Sequence, residues 1–268
     1  MTKENRIMNR MNEHLAHYQA NYKNDWVGIF LQGSQNYGLD YENSDIDTKI
    51  IVLPSFEDII LNKQPISTTS VLPNDEHLDV KDIRLMFDCF KKQNINFLEI
   101  LFTKYCILNP AYEDLFRPIY EHREDIAHYN NYAAIHCMLG MVNEKRKALT
   151  KPHPSVMDAV EKYGYDGKQL HHMERILEFF GRYINGVPYA ECLISQDRDR
   201  LISLKKHTLN VDEAVSRADK VVDQMEDMVA RYRLDHDIRI DTSIDVLFKS
   251  VLTDIMKRSI LSELQDAK

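Results

Sequence analysis

Gly33-Ser34-Gln35-Asn36-Tyr37-Gly38-Leu39-Asp40-Tyr41-Glu42-Asn43-Ser44-Asp45-Ile46-Asp47 lies between two apolar runs, Trp26-Val27-Gly28-Ile29-Phe30-Leu31 and Ile50-Ile51-Val52-Leu53. Short apolar runs bounded by turn residues read as buried strands, 26–32 and 45–53, so the segment is the connection between two strands of a sheet. Asp45 and Asp47 are two apart in the second of these, which points both side chains to one face, about 7 Å apart along the chain. Two acids held that close repel each other unless a cation sits between them. A divalent ion with oxygen ligands, Mg2+ or Mn2+, bound by one or two carboxylates and substrate phosphates, is the usual solution.

The Gly33-Ser34 pair ends the first strand, where a residue without a side chain lets the backbone turn sharply and approach a ligand. Its N–H groups and hydroxyl are expected to face a phosphate. Metal ions held by Asp45 and Asp47 that bridge a triphosphate would activate an attacking hydroxyl and stabilise departing pyrophosphate. That chemistry is nucleotidyl transfer from a nucleoside triphosphate, with ATP among the candidates. Tyr37 and Gly38 read as loop structure, and Lys49 as an exposed strand position that could reach a phosphate but is more often simply solvated.

At these residues the sequence resembles the nucleotidyltransferase superfamily that includes DNA polymerase beta. Its signature is an apolar residue, Gly-Ser or Gly-Gly, a spacer of about a dozen residues, and Asp-apolar-Asp. Here Leu31-Gln32-Gly33-Ser34 is followed, after ten residues, by Asp45-Ile46-Asp47. The resemblance implies a third carboxylate on a later strand of the same face. In Glu76-His77-Leu78-Asp79-Val80-Lys81-Asp82, the alternation of Leu78 and Val80 places Asp79 on the opposite face, toward the site. Asp82 precedes Ile83-Arg84-Leu85-Met86-Phe87 and reads as a helix N-cap. The implied catalytic and metal-binding set is Asp45, Asp47 and Asp79, with Gly33 and Ser34 on the triphosphate.

Length and composition bound the rest. The 268 residues allow one large domain or two ordinary ones, and 44% hydrophobic with 28% charged residues is the balance of a globular protein. A formal charge of −8 argues against a protein whose main role is to coat nucleic acid, which rests on a Lys/Arg surplus. No apolar run approaches the roughly 20 residues that span a bilayer, and Met-Thr-Lys-Glu-Asn-Arg lacks the apolar core of a signal peptide, so a cytoplasmic protein with no membrane partner is expected. Cys89, Cys106, Cys137 and Cys192 are scattered without a Cys-x-x-Cys pair, which indicates neither a zinc site nor a disulfide framework. His122, His128 and His136 lack metal-ligand spacing, and no P-loop, dinucleotide fingerprint or nucleophile elbow is present.

The expected fold is α+β: a nucleotidyltransferase-type small mixed sheet with flanking helices in residues 1–125, then an all-helical domain in 126–268. Ile7, Met11, Leu15, Tyr18 and Tyr22 mark an amphipathic helix before the first strand. Further strands are expected near 77–81 and at Tyr105-Cys106-Ile107-Leu108, with helices from Ser55 and from Ile83. Beyond Pro110 the period becomes helical, with helices expected near 111–123, 128–149, 166–185, 197–206, 211–233 and 243–265. Lys151-Pro152-His153-Pro154 is a loop. Val222, Met225, Val229 and Tyr232 form a stripe that reads as core, with a homo-oligomer contact as the alternative.

A second stretch, Tyr163-Gly164-Tyr165-Asp166-Gly167-Lys168-Gln169-Leu170-His171-His172-Met173-Glu174-Arg175, puts Lys168, His172 and Arg175 at i, i+4 and i+7, on one helix stripe. Three cations near a helix start suit a triphosphate. Asp166 and Gln169 match a capping box, and an exposed face of this kind is often only solvated. The stretch also resembles a Tyr-Asp-x-Lys, His, Arg motif of uncharacterised bacterial and phage nucleotidyltransferase-like proteins, as, less specifically, does Arg198-Asp199-Arg200-Leu201-Ile202. Together the resemblances imply an Mg2+- or Mn2+-dependent nucleotidyltransferase with Lys168, His172 and Arg175 on the nucleotide. The acceptor, an RNA end, a protein or a small molecule, is left open. The alternative is a catalytically silent nucleotide-binding sensor or interaction module of the same fold.

Overall fold

The computed structural model describes residues 2–41, 44–154 and 156–266. In chain order the elements are α1 (Lys3–Asn21), β1 (Trp26–Gln32), β2 (Asp47–Val52), α2 (Phe56–Ile60), β3 (Ser67–Val71), β4 (His77–Asp82), α3 (Ile83–Lys91), α4 (Ile95–Leu98), β5 (Cys106–Leu108), α5 (Glu113–Glu121) and α6 (Arg123–Ala127). The rest is helical: α7 (Asn131–Ala148), α8 (Met157–Tyr163), α9 (Gly167–Tyr183), α10 (Tyr189–Leu193), α11 (Arg198–Lys205), α12 (Val211–Asp235) and α13 (Thr242–Asp266). The fold is α+β, as the sequence predicts.

By its own contacts the chain divides into two compact units. One comprises Met1–Asn36, Asp40–Tyr129 and Asp241–Lys268; the other comprises Tyr37–Leu39 and Asn130–Ile240. The first differs from the expected 1–125 domain by gaining the last helix. Ile244, Phe248, Val251 and Ile255 of α13 are buried at spacings of three and four, and Phe248 stacks on Phe87 and Phe90 of α3, 4.9 and 6.2 Å between centroids.

The sheet of the first unit has the order β3-β4-β2-β1-β5, parallel between β2 and β4 and antiparallel elsewhere. The parallel pair needs a crossover, which α2 and β3 supply. Ile29, Leu31, Ile50, Val52, Leu78 and Val80 line one face and bury Ile7, Met11 and Tyr18 of α1. Each such side chain contributes about 1.5–3 kcal/mol by leaving water. Phe30 points the other way, onto Phe116 and Tyr120 of α5.

Several expectations shift in detail. Strand β2 begins at Asp47, so Asp45 precedes the ladder. Strand β3, Ser67-Thr68-Thr69-Ser70-Val71, was not read from the sequence, because it is an edge strand exposed along most of its length and shows no apolar alternation. Ile95–Leu101 is a short helix that tightens to 3-10 geometry, and α8 and α10 are additional helices. Asp82 caps α3 as expected, accepting from the Arg84 N–H at 2.9 Å. No helix among the described residues is long and apolar enough to cross a membrane.

Candidate functional site

The backbone around Asp45 and Asp47 is clamped from below the sheet. Glu76, a buried carboxylate, accepts the Ile46 N–H on Oε1 at 3.2 Å, and on Oε2 the Arg10 Nε and Nη2 groups at 2.9 and 2.8 Å. His14 Nε2 reaches the same oxygen at 3.0 Å while its Nδ1 meets the Thr48 hydroxyl at 2.7 Å. Burial lowers the proton affinity of His14, and Glu76 only partly opposes that. A neutral ring donating from Nε2 to Glu76 and accepting the Thr48 hydroxyl proton at Nδ1 satisfies all three groups. Burial pushes the Glu76 carboxyl up, but hydrogen bonds from Arg10, Asn74 and His14 bring it below its usual range. Arg6 holds the Ser44 carbonyl at 3.0 Å and Gln35 Nε2 the Asp45 carbonyl at 2.9 Å. Arg6, Arg10 and His14 recur every four residues on α1, a polar stripe that sequence reasoning missed beside the apolar one.

The carboxylates differ sharply in their surroundings. Asp45 is exposed, and its side chain has no hydrogen-bond partner among the described residues. Asp47 Oδ1 accepts from the His77 N–H at 2.8 Å and lies 3.2 Å from His77 Nδ1. No Lys or Arg among the described residues pairs with either acid. Asp79 shares the face, but the β2–β4 register sets it level with Lys49, two residues beyond Asp47. It accepts from Lys49 Nζ at 2.8 Å, Thr69 Oγ1 at 2.5 Å and Gln32 Nε2 at 3.2 Å. Burial would raise Asp79, yet the Lys49 charge and these hydrogen bonds outweigh it and hold the carboxyl below its usual range. Lys49 is itself buried, 2% exposed, with its ammonium 4.5 Å from the Phe97 ring, which corrects the expected solvated position.

Gly33 has φ +91, and a Cβ there would meet no atom within 4 Å, so its backbone turn is what requires glycine. Its N–H donates to the buried Glu99 at 3.1 Å, an acceptor shared with Asn36 Nδ2 at 3.1 Å, so this donor is turned inward instead of toward a phosphate. The Ser34 hydroxyl lies 3.3 Å from Gln35 Oε1. Glu99 was not singled out from the sequence, where it sits inside the apolar run Ile95–Leu101.

In the helical unit Lys168, His172 and Arg175 do share one stripe of α9. Asp166 caps the helix through the Lys168 N–H at 2.9 Å, while Gln169 donates to its other oxygen at 2.8 Å, so the reciprocal capping box is not formed. Lys168 is exposed, His172 half-buried and Arg175 buried. Burial, and then the charges of Arg175, Lys168 and Lys145, drive His172 well below the usual imidazole range. The stripe therefore carries two cations and a neutral ring at neutral pH, not three cations. The Arg175 guanidinium lies 3.9 Å over the Tyr37 ring. Arg200, from the third resembling stretch, pairs with Glu174 at 2.5 Å and Asp197 at 2.7 Å, and Arg217 completes the bridge to Glu174.

No protein-family model matches the chain, and no curated protein matches its sequence. Among the described residues no three His, Cys, Asp or Glu side chains form a ready metal site. The donor chemistry of Asp45 and Asp47 fits a magnesium ion that takes two carboxylates and completes its shell with water and substrate phosphates.

Proposed function

We propose that the protein is a metal-dependent nucleotidyltransferase that moves a nucleoside monophosphate from a nucleoside triphosphate to an acceptor hydroxyl. The observation that carries this reading is that Asp45 is exposed without a hydrogen-bond partner among the described residues and Asp47 meets only His77. Among the described residues neither has a Lys or Arg partner, while their backbone is held by Glu76 and Gln35. Like charges presented on a clamped, wet edge with no Lys or Arg among the described residues to offset them are an invitation to a cation.

Asp45 and Asp47 would hold the ion, which when bound supplies charge neutralisation on the phosphates and lowers the proton affinity of the attacking hydroxyl. The acceptor oxygen forms a bond to the α-phosphorus, the bond to the bridging oxygen of pyrophosphate breaks, and the hydroxyl proton passes to solvent or a carboxylate. In the chain itself, Glu76 and Gln35 orient the two carboxylates. Asp79 is the third acid of the proposal, and a cation there competes with Lys49 for its Oδ2. That competition is also the observation favouring the alternative, a nucleotide-binding module without turnover.

The test is transfer of label from each α-labelled nucleoside triphosphate, with magnesium or manganese, into extract fractionated as RNA, protein and small molecules. Asp45→Asn/Asp47→Asn serves as the blank. Label above the blank in one fraction supports the enzyme and identifies its acceptor class. Label equal to the blank in every fraction, with nucleotide binding intact, supports the silent module.

A further inference from the structure

His77 opens β4 beside the start of β2. In the parallel register Thr48 is level with Leu78, so Asp47 and His77, one residue earlier on each strand, are neighbours at the end of the ladder. They meet twice. The His77 N–H donates to Asp47 Oδ1 at 2.8 Å, and the ring Nδ1 lies 3.2 Å from the same oxygen. The His77 ring is exposed and has no other side-chain partner among the described residues, and neither has Asp47.

Asp79, two residues along β4 on the same face, is engaged elsewhere. It accepts from Lys49 Nζ at 2.8 Å, Thr69 Oγ1 at 2.5 Å and Gln32 Nε2 at 3.2 Å. Two residues of strand set it about 7 Å beyond the level of Asp47. To turn toward a cation on Asp47 it would have to release the ammonium of Lys49, which is 2% exposed and has no other carboxylate among the described residues. Turning the His77 ring releases no buried charge.

The spacing of His77 and Asp47 also suits a shared ion. Bonds of about 2.1–2.2 Å to two adjacent positions of an octahedral ion put the two donor atoms about 3 Å apart. Nδ1 and Oδ1 at 3.2 Å are spaced as such a pair. We infer that His77 is the third protein donor to the cation, through Nδ1, and that the site therefore favours a transition-metal dication of the Mn2+ type over Mg2+, leaving Asp79 on Lys49. The inference rests on the reading of Asp45 and Asp47 as cation ligands and deepens it. Sites made only of oxygen suit magnesium, whereas a ring nitrogen adds affinity for the first-row transition ions. The His77 N–H stays on Asp47 and holds that carboxylate in place, the outer contact that metal-bound groups commonly have.

Pulsed electron paramagnetic resonance of Mn2+ bound to the full chain tests it, with tripolyphosphate as a nitrogen-free stand-in for the phosphates of a nucleotide. Wild type should show the hyperfine coupling of a directly bound nitrogen nucleus. His77→Ala should lose that coupling at an unchanged melting temperature, since the ring is exposed. In competition titrations His77→Ala should weaken Mn2+ binding about tenfold and Mg2+ binding less than about twofold. A histidine that only hydrogen-bonds Asp47 would give no such coupling and would weaken both ions alike. Mn2+ bound through Asp45 and Asp47 without nitrogen coupling, coupling that survives His77→Ala, or an equal loss of both ions overturns the inference and leaves the cation site standing. Wild-type Mn2+ binding no greater than that of Asp45→Asn/Asp47→Asn removes the cation site itself, and this inference with it.

Discussion

Lys49 and Arg175 are the same problem solved twice, once completely and once not. Each is a buried cation over an aromatic ring, 4.5 Å from Phe97 and 3.9 Å from Tyr37 respectively. Lys49 also has Asp79 at 2.8 Å, whereas Arg175 Nε has no acceptor among the described residues. The sheet unit repeats the first pattern: Glu76 is matched by Arg10 and His14, and Asp82 by Arg84 at 2.7 Å. A buried cation with a carboxylate partner is tied to that pair, and one without it is held by burial and its ring contact alone.

The largest effect that can break this comparison is on stability. Lys49→Met should destabilise the sheet unit by about 3 kcal/mol, because it strands a partly buried Asp79, and urea denaturation measures it. Arg175→Met should cost nothing comparable, and equal losses in the two variants would end the distinction. The pH dependence sharpens it. Asp79 is depressed in the folded state, so its pairing stabilises above the unfolded value of 3.8 and is lost as pH falls through the folded one; the gap between wild type and Lys49→Met should close there.

Next in size is His171, on the same helix as Arg175. Burial first, with Arg175, Lys205 and Lys168 adding, lowers it from 6.5 to about 4, against the hydrogen bond of its Nδ1 to the Leu201 carbonyl. The unfolded chain therefore binds more protons below pH 6.5, and stability is lost as pH falls toward 4. About 2 kcal/mol should disappear between pH 7 and 5, with a shallower slope in His171→Asn, read by thermal melts across that range. Gly33→Ala should cost about 1 kcal/mol, the penalty of positive φ alone, because the added methyl meets open space. Smallest is Asp45→Asn, within about 0.5 kcal/mol of wild type in stability because the side chain is exposed, while metal-dependent transfer is lost.

Much of the fold was legible because the chain states it in local chemistry. Asp82 before an apolar helix, Asp166 before α9 and the strand-loop-strand run around Gly33 each carry their own signal. The α9 stripe was legible as spacing, but its charge was not, since the neutrality of His172 follows first from its burial and then from charges on α9 and α7. Lys49 against Asp79 depends on the parallel register of β2 and β4, which no local pattern encodes. Glu76 and His14 were hidden for a similar reason: their roles arise from contacts more than 30 residues apart in sequence. In α1 the buried set is Ile7, Met11, His14 and Tyr18, so a polar residue occupies a core position that the apolar period assigns to Leu15.

The central claim, that Asp45 and Asp47 form the cation site of a nucleotidyltransferase, is tested most directly by titrating Mn2+ into the protein with a non-hydrolysable nucleoside triphosphate and following free Mn2+ by electron paramagnetic resonance. The account predicts protein-dependent Mn2+ binding in wild type that disappears in Asp45→Asn/Asp47→Asn with the melting temperature preserved. Binding that is the same in both proteins would contradict it.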